Sequence, residues 1–352
     1  MTLKAQIAAQ IAATGPMRID TYMATCLLHP TLGYYTTRPP FGQAGDFITA
    51  PEISQMFGEL IGLALAQCWI DQGAPAAFAL VELGPGRGTL MADLIRATRS
   101  VPGFLDAAQI TLVEASPALR AVQKETLAGT DVTWIDDATA LRETPVFAVA
   151  NEFFDALPIR QFVRDGAKWR ERQVGLEGEE LAFGLGPAQP QPALAARLAD
   201  TADGDMIEER SAATPIIETL GRRISGYGGA ALILDYGDWR SKGDTFQAVQ
   251  DHAPTDPLSR PGMADLTAHV DFEALANAAP CAHGAMTPQG VFLERLGITQ
   301  RAQQLAATLT GNALDQHIAA HRRLTHPAEM GTLFKVLGLH PPDGAPPPGI
   351  DP

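Results

Sequence analysis

The stretch Phe78-Ala-Leu-Val-Glu-Leu-Gly-Pro-Gly-Arg-Gly-Thr89 decides the fold of this chain. Its apolar beginning, Phe78 to Leu83, predicts a buried strand, and the cluster of glycines after it predicts a tight turn. The segment from Thr89 to Ala97 has the apolar spacing of a helix. A strand, a glycine-rich turn and a helix in this order present backbone N–H groups and a helix N-terminus to a nucleotide-like ligand.

The details of the turn indicate which ligand it suits. Gly84, Gly86 and Gly88 form the pattern G-x-G-x-G, whereas the dinucleotide fingerprint has its third glycine one residue later, where Thr89 stands. Glu82 brings negative charge to the turn, which disfavours a pyrophosphate. It favours a ligand with an ammonium group, such as the amino-acid end of S-adenosylmethionine (SAM). A glycine-rich turn that binds nothing remains the alternative.

The composition limits the possible partners. The 352 residues are 46% hydrophobic and 19% charged, which is typical of a globular protein with one large domain or two small ones. Lys and Arg number 26 against 40 Asp and Glu, for a net charge of -14. This excess of acid argues against nucleic-acid binding and favours a cationic substrate or a basic protein segment. The three cysteines are far apart, so we predict neither a disulfide framework nor a cysteine metal site. This pattern is typical of a protein in a reducing compartment.

No membrane or targeting signal is visible. The apolar runs are too short to span a bilayer. Residues 1–13 lack the pattern of a secretion signal and the Arg-rich character of a mitochondrial presequence. We therefore expect a cytoplasmic protein without membrane insertion, and the sequence leaves its oligomeric state open.

Strand and helix patterns alternate along most of the chain. Further strands are predicted at 109–114, 132–135, 146–150, 230–235 and 333–337. Long helices are predicted at 3–13, 19–28, 51–69 and 215–224, with a mainly helical region at 293–324. The alternation predicts an α/β fold with a mostly parallel, doubly wound sheet.

The spacing of these elements also suggests a domain organisation. Too many residues separate the fourth and fifth strands for one crossover, and short strand patterns at 161–163, 169–174 and 181–183 predict an inserted antiparallel meander. We predict five segments: a helical cap at 1–75, the first half of the core at 76–159, a substrate-side insertion at 160–229, the second half of the core at 230–340, and a disordered tail at 341–352.

Acidic residues follow the second and third strands. Glu114 is placed to accept hydrogen bonds from ribose hydroxyls, although a charge before a helix is the alternative. One of Asp136 and Asp137 is a candidate to accept a hydrogen bond from an adenine amino group, and a solvated pair in a turn is the alternative.

A polar segment follows the fourth strand, where the ligand crevice of an open α/β sheet lies. Asn151 offers a carboxamide, and Glu152 and Asp155 offer carboxylates that can hold a cationic nitrogen and accept its proton. The alternative is that both carboxylates cap a helix while Phe153 and Phe154 belong to the core.

Two further polar segments are weaker candidates. Asp46 could act at the site or simply belong to a turn, and Glu52 qualifies only if its helix packs over the glycine turn. His269 stands between Asp265 and Asp271 and could be an acid or base, but a structural histidine explains it equally well.

Taken together, these segments resemble the MidA family of SAM-dependent methyltransferases, whose mitochondrial members are complex I assembly factors of the protein-arginine methyltransferase type. The matching stretches are Gly45-Asp-Phe-Ile-Thr-Ala-Pro-Glu-Ile-Ser-Gln-Met-Phe-Gly-Glu59, Glu82-Leu-Gly-Pro-Gly-Arg-Gly-Thr-Leu-Met91, Val113-Glu-Ala-Ser-Pro117, Ala150-Asn-Glu-Phe-Phe-Asp-Ala-Leu-Pro158, Leu234-Asp-Tyr-Gly237, Asp265-Leu-Thr-Ala-His-Val-Asp-Phe272 and Met330-Gly-Thr-Leu-Phe-Lys-Val336.

The resemblance implies a class I methyltransferase fold, which is Rossmann-like, with a seven-stranded, mostly parallel sheet and one antiparallel strand at its end. It also implies SAM as cofactor and an arginine acceptor on a protein substrate related to a complex I subunit. The candidate cofactor residues are Glu82, Gly84, Pro85, Gly86, Gly88, Glu114, Asp136, Asp137 and Asn151. The candidate catalytic residues are Glu152, Asp155 and Asp46.

Two other functions remain open. The chain could be a SAM-binding assembly chaperone with weak catalysis, or it could methylate another protein or a small molecule. A nucleotide-dependent oxidoreductase is disfavoured by the early third glycine and by Glu82.

Overall fold

A computed structural model of the chain describes residues 1–37 and 49–352. Its α-helices are α1 (Leu3–Thr14), α2 (Ile19–Leu28), α3 (Tyr34–Thr37), α4 (Ala50–Ile53), α5 (Gln55–Asp71), α6 (Thr89–Thr98), α7 (Phe104–Ala107), α8 (Pro117–Thr126), α9 (Thr214–Tyr227), α10 (Phe272–Ala278), α11 (Gln289–Arg295), α12 (Ile298–Ala306), α13 (Gly311–Thr325) and α14 (Met330–Leu333). Short 3₁₀ helices lie at Ala138–Ala140, Pro192–Ala199 and Ser211–Ala213. No helix in the described ranges is long and apolar enough to cross a bilayer.

The strands divide among three sheets. They are β1 (Met17–Arg18), β2 (Phe78–Leu83), β3 (Ala108–Val113), β4 (Val132–Ile135), β5 (Val146–Asn151), β6 (Arg160–Asp165), β7 (Lys168–Glu177), β8 (Glu180–Gln189), β9 (Met206–Glu209), β10 (Gly229–Asp238), β11 (Gln247–Gln250), β12 (Ala253–Thr255), β13 (Asp265–Thr267), β14 (Val270–Asp271), β15 (Ala282–His283), β16 (Thr287–Pro288) and β17 (Phe334–His340).

The described residues form two compact units, each assembled from separate parts of the chain. The first unit contains 1–37, 155–213 and 240–271, and the second contains 49–154, 214–239 and 272–352. This division differs from the predicted segments, because α5 belongs to the second unit and not to an N-terminal cap. A Cβ at Gly62 of α5 would lie 2.8 Å from the Leu94 side chain of α6, so the two helices approach as closely as glycine allows.

The second unit is built on the predicted parallel sheet. Strands β10, β5, β2, β3 and β4 lie side by side in that order, and all are parallel. The predicted antiparallel strand is β17, which pairs with β10. It is not outermost, since the two-residue strands β15 and β16 pair with its other edge. Strands β2 and β5 are buried along their whole length, as expected for a sheet covered on both faces.

The helix predicted at 51–69 is in fact two helices. Ser54 is extended (φ −160°, ψ 137°), which ends α4, and its Oγ accepts a hydrogen bond from the Met56 N–H at 3.3 Å as the N-cap of α5. The short helix α4 is therefore a separate element with its own contacts.

The first unit contains the predicted meander in extended form. Strands β6, β7 and β8 form antiparallel pairs, and β1 and β9 complete this sheet. Strands β12, β11 and β13 make a second, three-stranded sheet. A core that includes Tyr22, Met23 and Phe246 lies in this unit.

The C-terminal segment is packed into the second unit, to which it belongs. Ile350 is buried in its main hydrophobic cluster, and Arg295 donates hydrogen bonds to the Gly349 carbonyl and to the Asp351 carboxylate. This packing contradicts the disorder predicted for 341–352. The high proline content of the segment suggested disorder, but one apolar side chain and one ion pair anchor it.

A buried carboxylate joins three helices of the second unit. Glu59 on α5 accepts hydrogen bonds from Arg96 on α6 and Arg301 on α12, each at 2.8 Å. Burial by itself would raise the pKa of Glu59, but the hydrogen bonds from Arg301 and Arg96 outweigh it and hold the pKa below its usual range.

Replacing Glu59 with Gln should lower the free energy of unfolding at pH 7 by about 1–2 kcal/mol, because a charge-assisted pair is lost. A carboxyl group with a lowered folded-state pKa stabilises above its unfolded pKa, and this stabilisation disappears as the pH falls through the folded pKa. Urea denaturation should therefore show a larger difference at pH 7 than at a pH below 4.5, the unfolded pKa. The exposed Arg322–Glu329 pair provides the control, since Glu329→Gln should cost less than about 0.5 kcal/mol. An equal loss for Glu59→Gln at both pH values would contradict this account.

Candidate active site

The glycine turn after β2 adopts a backbone that only glycine tolerates well. Gly84, Gly86 and Gly88 have φ angles of 63°, 51° and 83°. A Cβ on Gly84 would lie 2.7 Å from Cδ2 of Phe153, so the β2 turn and the segment after β5 are in close contact. These two turns form one wall of a pocket that is open to solvent.

The pocket collects residues from α4, from the glycine turn and α6, and from the end of β5. Its lining consists of Thr49, Pro51, Glu52, Glu82, Gly84, Pro85, Gly86, Arg87, Thr89, Leu90, Asn151 and Glu152. Six of the candidate cofactor and catalytic residues are therefore brought together here, namely Glu82, Gly84, Pro85, Gly86, Asn151 and Glu152, together with the weaker candidate Glu52.

Glu82 is a fully buried acid with a free oxygen. It interacts with the backbone of Met91, but its Oε2 has no hydrogen-bond partner among the described residues. Burial raises its pKa to about 8. A buried polar atom without a partner is costly, so this oxygen is suited to a donor that a ligand brings.

Asn151 and Glu152 form a second polar group at the end of β5. The Asn151 Nδ2 donates to Glu152 Oε1 at 3.1 Å, and the Ala50 N–H donates to the same oxygen at 3.2 Å. Asn151 Oδ1 has no partner in the described part of the chain. The backbone of Glu152 is left-handed (φ 50°), which costs a non-glycine residue on the order of 1–2 kcal/mol. Such strain is concentrated at functional sites.

The buried Asp235 on β10 supports the segment that follows Glu152. Its Oδ2 accepts a hydrogen bond from the Phe154 N–H, and its Oδ1 accepts one from the Tyr236 N–H, both at 3.0 Å. We did not predict this role from the sequence. The Leu234-Asp-Tyr-Gly237 stretch was the available signal, because a charged residue that ends an otherwise apolar strand requires a partner.

Glu114 is connected to the glycine turn through Gln123. The Gln123 Nε2 donates to the Gly86 carbonyl at 2.8 Å and to Glu114 Oε2 at 3.3 Å, while its Oε1 accepts from Trp134 Nε1 at 2.8 Å. Burial raises the pKa of Glu114, although hydrogen bonds from Ser116 and Gln123 oppose the shift. Glu114 is not in the lining of the pocket, but it is held against the turn that forms it.

The two aspartates proposed for adenine have other partners. Asp136 is exposed and forms an ion pair with Arg120 at 2.6 Å. Asp137 accepts a hydrogen bond from the Thr139 N–H at 2.6 Å and caps a short 3₁₀ helix. Neither lines the pocket, so their adenine role stays a prediction.

Helix α4 meets the condition set for Glu52, because it packs over the glycine turn. The Thr89 hydroxyl, at the start of α6, donates to Glu52 Oε1 at 2.5 Å. The Arg87 guanidinium lies 3.8 Å from Glu52 Oε2.

Two of the remaining candidates, Asp155 and His269, do not line the pocket, and the third, Asp46, falls outside the described residues. Asp155 is buried in the first unit and accepts a hydrogen bond at Oδ1 from the Ala156 N–H. His269 lies in the same unit, where its backbone N–H donates a hydrogen bond to the Thr245 hydroxyl. Its backbone carbonyl accepts a hydrogen bond from the Arg210 guanidinium. Within the described ranges, no three His, Cys, Asp or Glu side chains are grouped as metal ligands would be.

The pocket fits the amino-acid end of SAM by its own chemistry. Glu82 offers an unpartnered buried oxygen to an ammonium group, and Asn151 offers an unpartnered amide oxygen, as judged from the described residues. The glycine turn lets the ligand approach the backbone closely.

Comparison with known proteins decides the family. Residues 60–291 match the family model described as "Putative S-adenosyl-L-methionine-dependent methyltransferase". The chain belongs to this methyltransferase family. It is a SAM-dependent methyltransferase of the class I, Rossmann-like fold, as predicted, and SAM is its cofactor.

Individual relatives of this methyltransferase match over most of their length. It is 37% identical to "Protein arginine methyltransferase NDUFAF7, mitochondrial" of Xenopus laevis, with 94% of this chain and 83% of the relative covered. The human protein of the same name is 36% identical, with 94% and 82% covered. A COG1565 superfamily structure from Burkholderia thailandensis, bound to S-adenosyl-homocysteine, is 31% identical, with a TM-score of 0.83 and 98% and 93% covered.

Gln123 offers a test of how the methyltransferase shapes its turn. Replacing Gln123 with Met keeps a long side chain but removes its hydrogen bonds to Gly86, Glu114 and Trp134. We expect S-adenosylhomocysteine to bind about fivefold to tenfold more weakly by calorimetry, since one or two hydrogen bonds no longer hold the turn. The exposed Gln303→Met on α12 is the matched control. Unchanged affinity in folded Gln123→Met would show that the turn needs no such support.

Proposed function

We propose that this methyltransferase methylates an arginine side chain on a protein substrate, and that the substrate is a subunit of the complex I type whose assembly the modification supports. Arginine is proposed as the methyl acceptor because the relatives in Xenopus laevis and human are named protein arginine methyltransferases. A substrate of the complex I type is proposed because the sequence motifs resemble a family whose mitochondrial members are complex I assembly factors. The cytoplasmic location stays a prediction from the sequence.

The observation that carries the proposal is the placement of Glu152. Its carboxylate lines the pocket, its backbone is strained, and two donors fix the position of Oε1. A guanidinium is protonated near neutral pH, so an acceptor arginine must lose a proton as its nitrogen is methylated. We propose that Glu152 orients the guanidinium by its charge and accepts that proton.

The other pocket residues position the reactants. SAM, when bound, supplies a methyl group on a positively charged sulfur. Glu82 and the glycine turn would hold the amino-acid end, and the segment after β5, which packs against that turn, would position Glu152 beside it. Alignment of this kind can provide a large part of the acceleration of a transfer reaction. The net charge of -14 favours a basic protein segment as partner.

The experiment is mass spectrometry of methylarginine in cells with and without the gene, combined with transfer of radiolabelled methyl from SAM to lysate proteins. We expect one or a few proteins to lose methylarginine when the gene is deleted and to be labelled by the purified enzyme. Label that appears only on another residue type or on small molecules would contradict the proposed acceptor.

A second candidate is a SAM-binding assembly chaperone, favoured by the large first unit, whose two sheets offer surface to a partner protein. In that case a variant without transferase activity would still restore complex assembly in cells that lack the gene. Failure of the same variant to restore assembly would support the enzyme.

A further inference from the structure

The pocket contains a positively charged side chain, Arg87, which cannot bind the ammonium group of a ligand. Three carboxylates and one cation line it: Glu52, Glu82, Glu152 and Arg87. Arg87 stands between Gly86 and Gly88, and among the residues that the structure describes it is the only cation in the lining. A cation in an otherwise acidic pocket indicates that the ligand carries an anionic group.

The guanidinium of Arg87 is available to a ligand. Within the described chain it makes no hydrogen bond, and its distance of 3.8 Å from Glu52 Oε2 is beyond hydrogen-bonding range. Its side chain is 47% exposed. The Thr89 hydroxyl binds the other oxygen of Glu52 at 2.5 Å, so Glu52 stays in place and keeps Arg87 near the turn.

Glu82 provides the independent observation that points to the ligand. Its unpartnered, fully buried Oε2 can accept a hydrogen bond from a ligand cation, and the Arg87 guanidinium, which lines the same pocket, can bind a ligand anion. An amino acid presents the complementary pair, an ammonium and a carboxylate on one carbon. Arginine also matches a carboxylate in geometry, because two N–H groups can meet its two oxygens.

We propose that Arg87 binds the carboxylate of the SAM amino-acid end, and that Glu52 holds Arg87 in readiness for it. Arg87 thereby makes the enzyme select ligands with a complete amino-acid terminus over decarboxylated ones. The inference rests on the cofactor-binding part of the proposed function and is independent of the methyl acceptor.

The test is calorimetric binding of SAM and of decarboxylated SAM, which keeps the ammonium and the sulfonium but lacks the carboxylate. Wild type should bind SAM about tenfold more tightly than the decarboxylated compound, the value expected for one partly exposed charge-assisted pair. Arg87→Met should bind SAM about tenfold more weakly than wild type and bind decarboxylated SAM equally well, so that the preference disappears. Arg99→Met, an exposed arginine outside the pocket, should behave as wild type with both ligands.

The outcomes separate the possible failures. If wild type binds SAM and decarboxylated SAM with equal affinity, the inference is overturned and no variant is needed. It is also overturned if an Arg87→Met protein that still melts cooperatively loses affinity for both ligands by the same factor. If wild type binds neither ligand, cofactor binding at this pocket fails as well. Retained binding of decarboxylated SAM by Arg87→Met shows that the variant is folded.

Discussion

Glu152→Gln should lose most of its methyl-transfer activity while binding S-adenosylhomocysteine nearly as well as the parent enzyme. The glutamine Oε1 can still accept the hydrogen bonds from Ala50 and Asn151, so the strained turn keeps its supports. What disappears is the negative charge and the ability to accept a proton. General base catalysis is worth about 10²–10⁴ in rate, and we expect kcat to fall at least about a hundredfold.

The measurement is a set of single-turnover rates together with calorimetric affinity for the product cofactor. Glu125→Gln, an exposed residue on α8, makes the same change of charge outside the pocket and should have no effect on either quantity. A Glu152→Gln enzyme that loses cofactor affinity as much as activity would refute the acid–base role. A Glu152→Gln enzyme that transfers methyl groups as fast as the parent would also refute the acid–base role.

Glu82→Gln should weaken the binding of SAM and its product about a hundredfold. We expect the parent carboxylate to form a charge-assisted, desolvated contact with the ligand ammonium, and contacts of this kind contribute about 1.5–3 kcal/mol. The variant should nevertheless fold. With a pKa of about 8, Glu82 is mainly neutral at pH 7 in the free protein, and glutamine has the shape of that neutral form.

Proton release provides a specific signature of this contact. An ammonium beside Glu82 stabilises its charged form, so binding at pH 7 should expel close to one proton from the parent and none from Glu82→Gln. Calorimetry in buffers of different ionisation enthalpy measures that number. Binding without proton release by the parent would contradict the pairing of the ammonium with Glu82.

The same group makes the stability of the free enzyme depend on pH. Between the unfolded pKa of 4.5 and the folded pKa of about 8, the folded state holds a proton that the unfolded state has lost. Stability that depends on Glu82 is therefore full below pH 4.5 and decreases as the pH rises through 8. Glu82→Gln lacks this decrease, so its stability relative to the parent should increase over that range.

The sequence predicted the elements whose signals are local. The strand Phe78–Leu83 and the glycines after it carry their pattern within a dozen residues, and the structure places them as expected. The grouping of Glu82 with Glu152 also followed, because parallel strands end at the same edge of a sheet.

What the sequence did not predict depends on partners distant along the chain. The ion pair of Asp136 with Arg120 and the support of Phe154 by Asp235 join residues that no periodic pattern connects. The break at Ser54 competes with a continuous apolar stripe, and its capping hydroxyl prevails. Ile350 packs into the core although its proline-rich neighbours suggest disorder.

A crystal structure of the enzyme with S-adenosylhomocysteine tests the central claim most directly. We predict that the ligand ammonium lies within about 2.7–3.2 Å of Glu82 Oε2, the range of a hydrogen bond, with its amino-acid end against the glycine turn. A ligand bound away from residues 82–89, or one whose ammonium faces away from Glu82, would contradict the account.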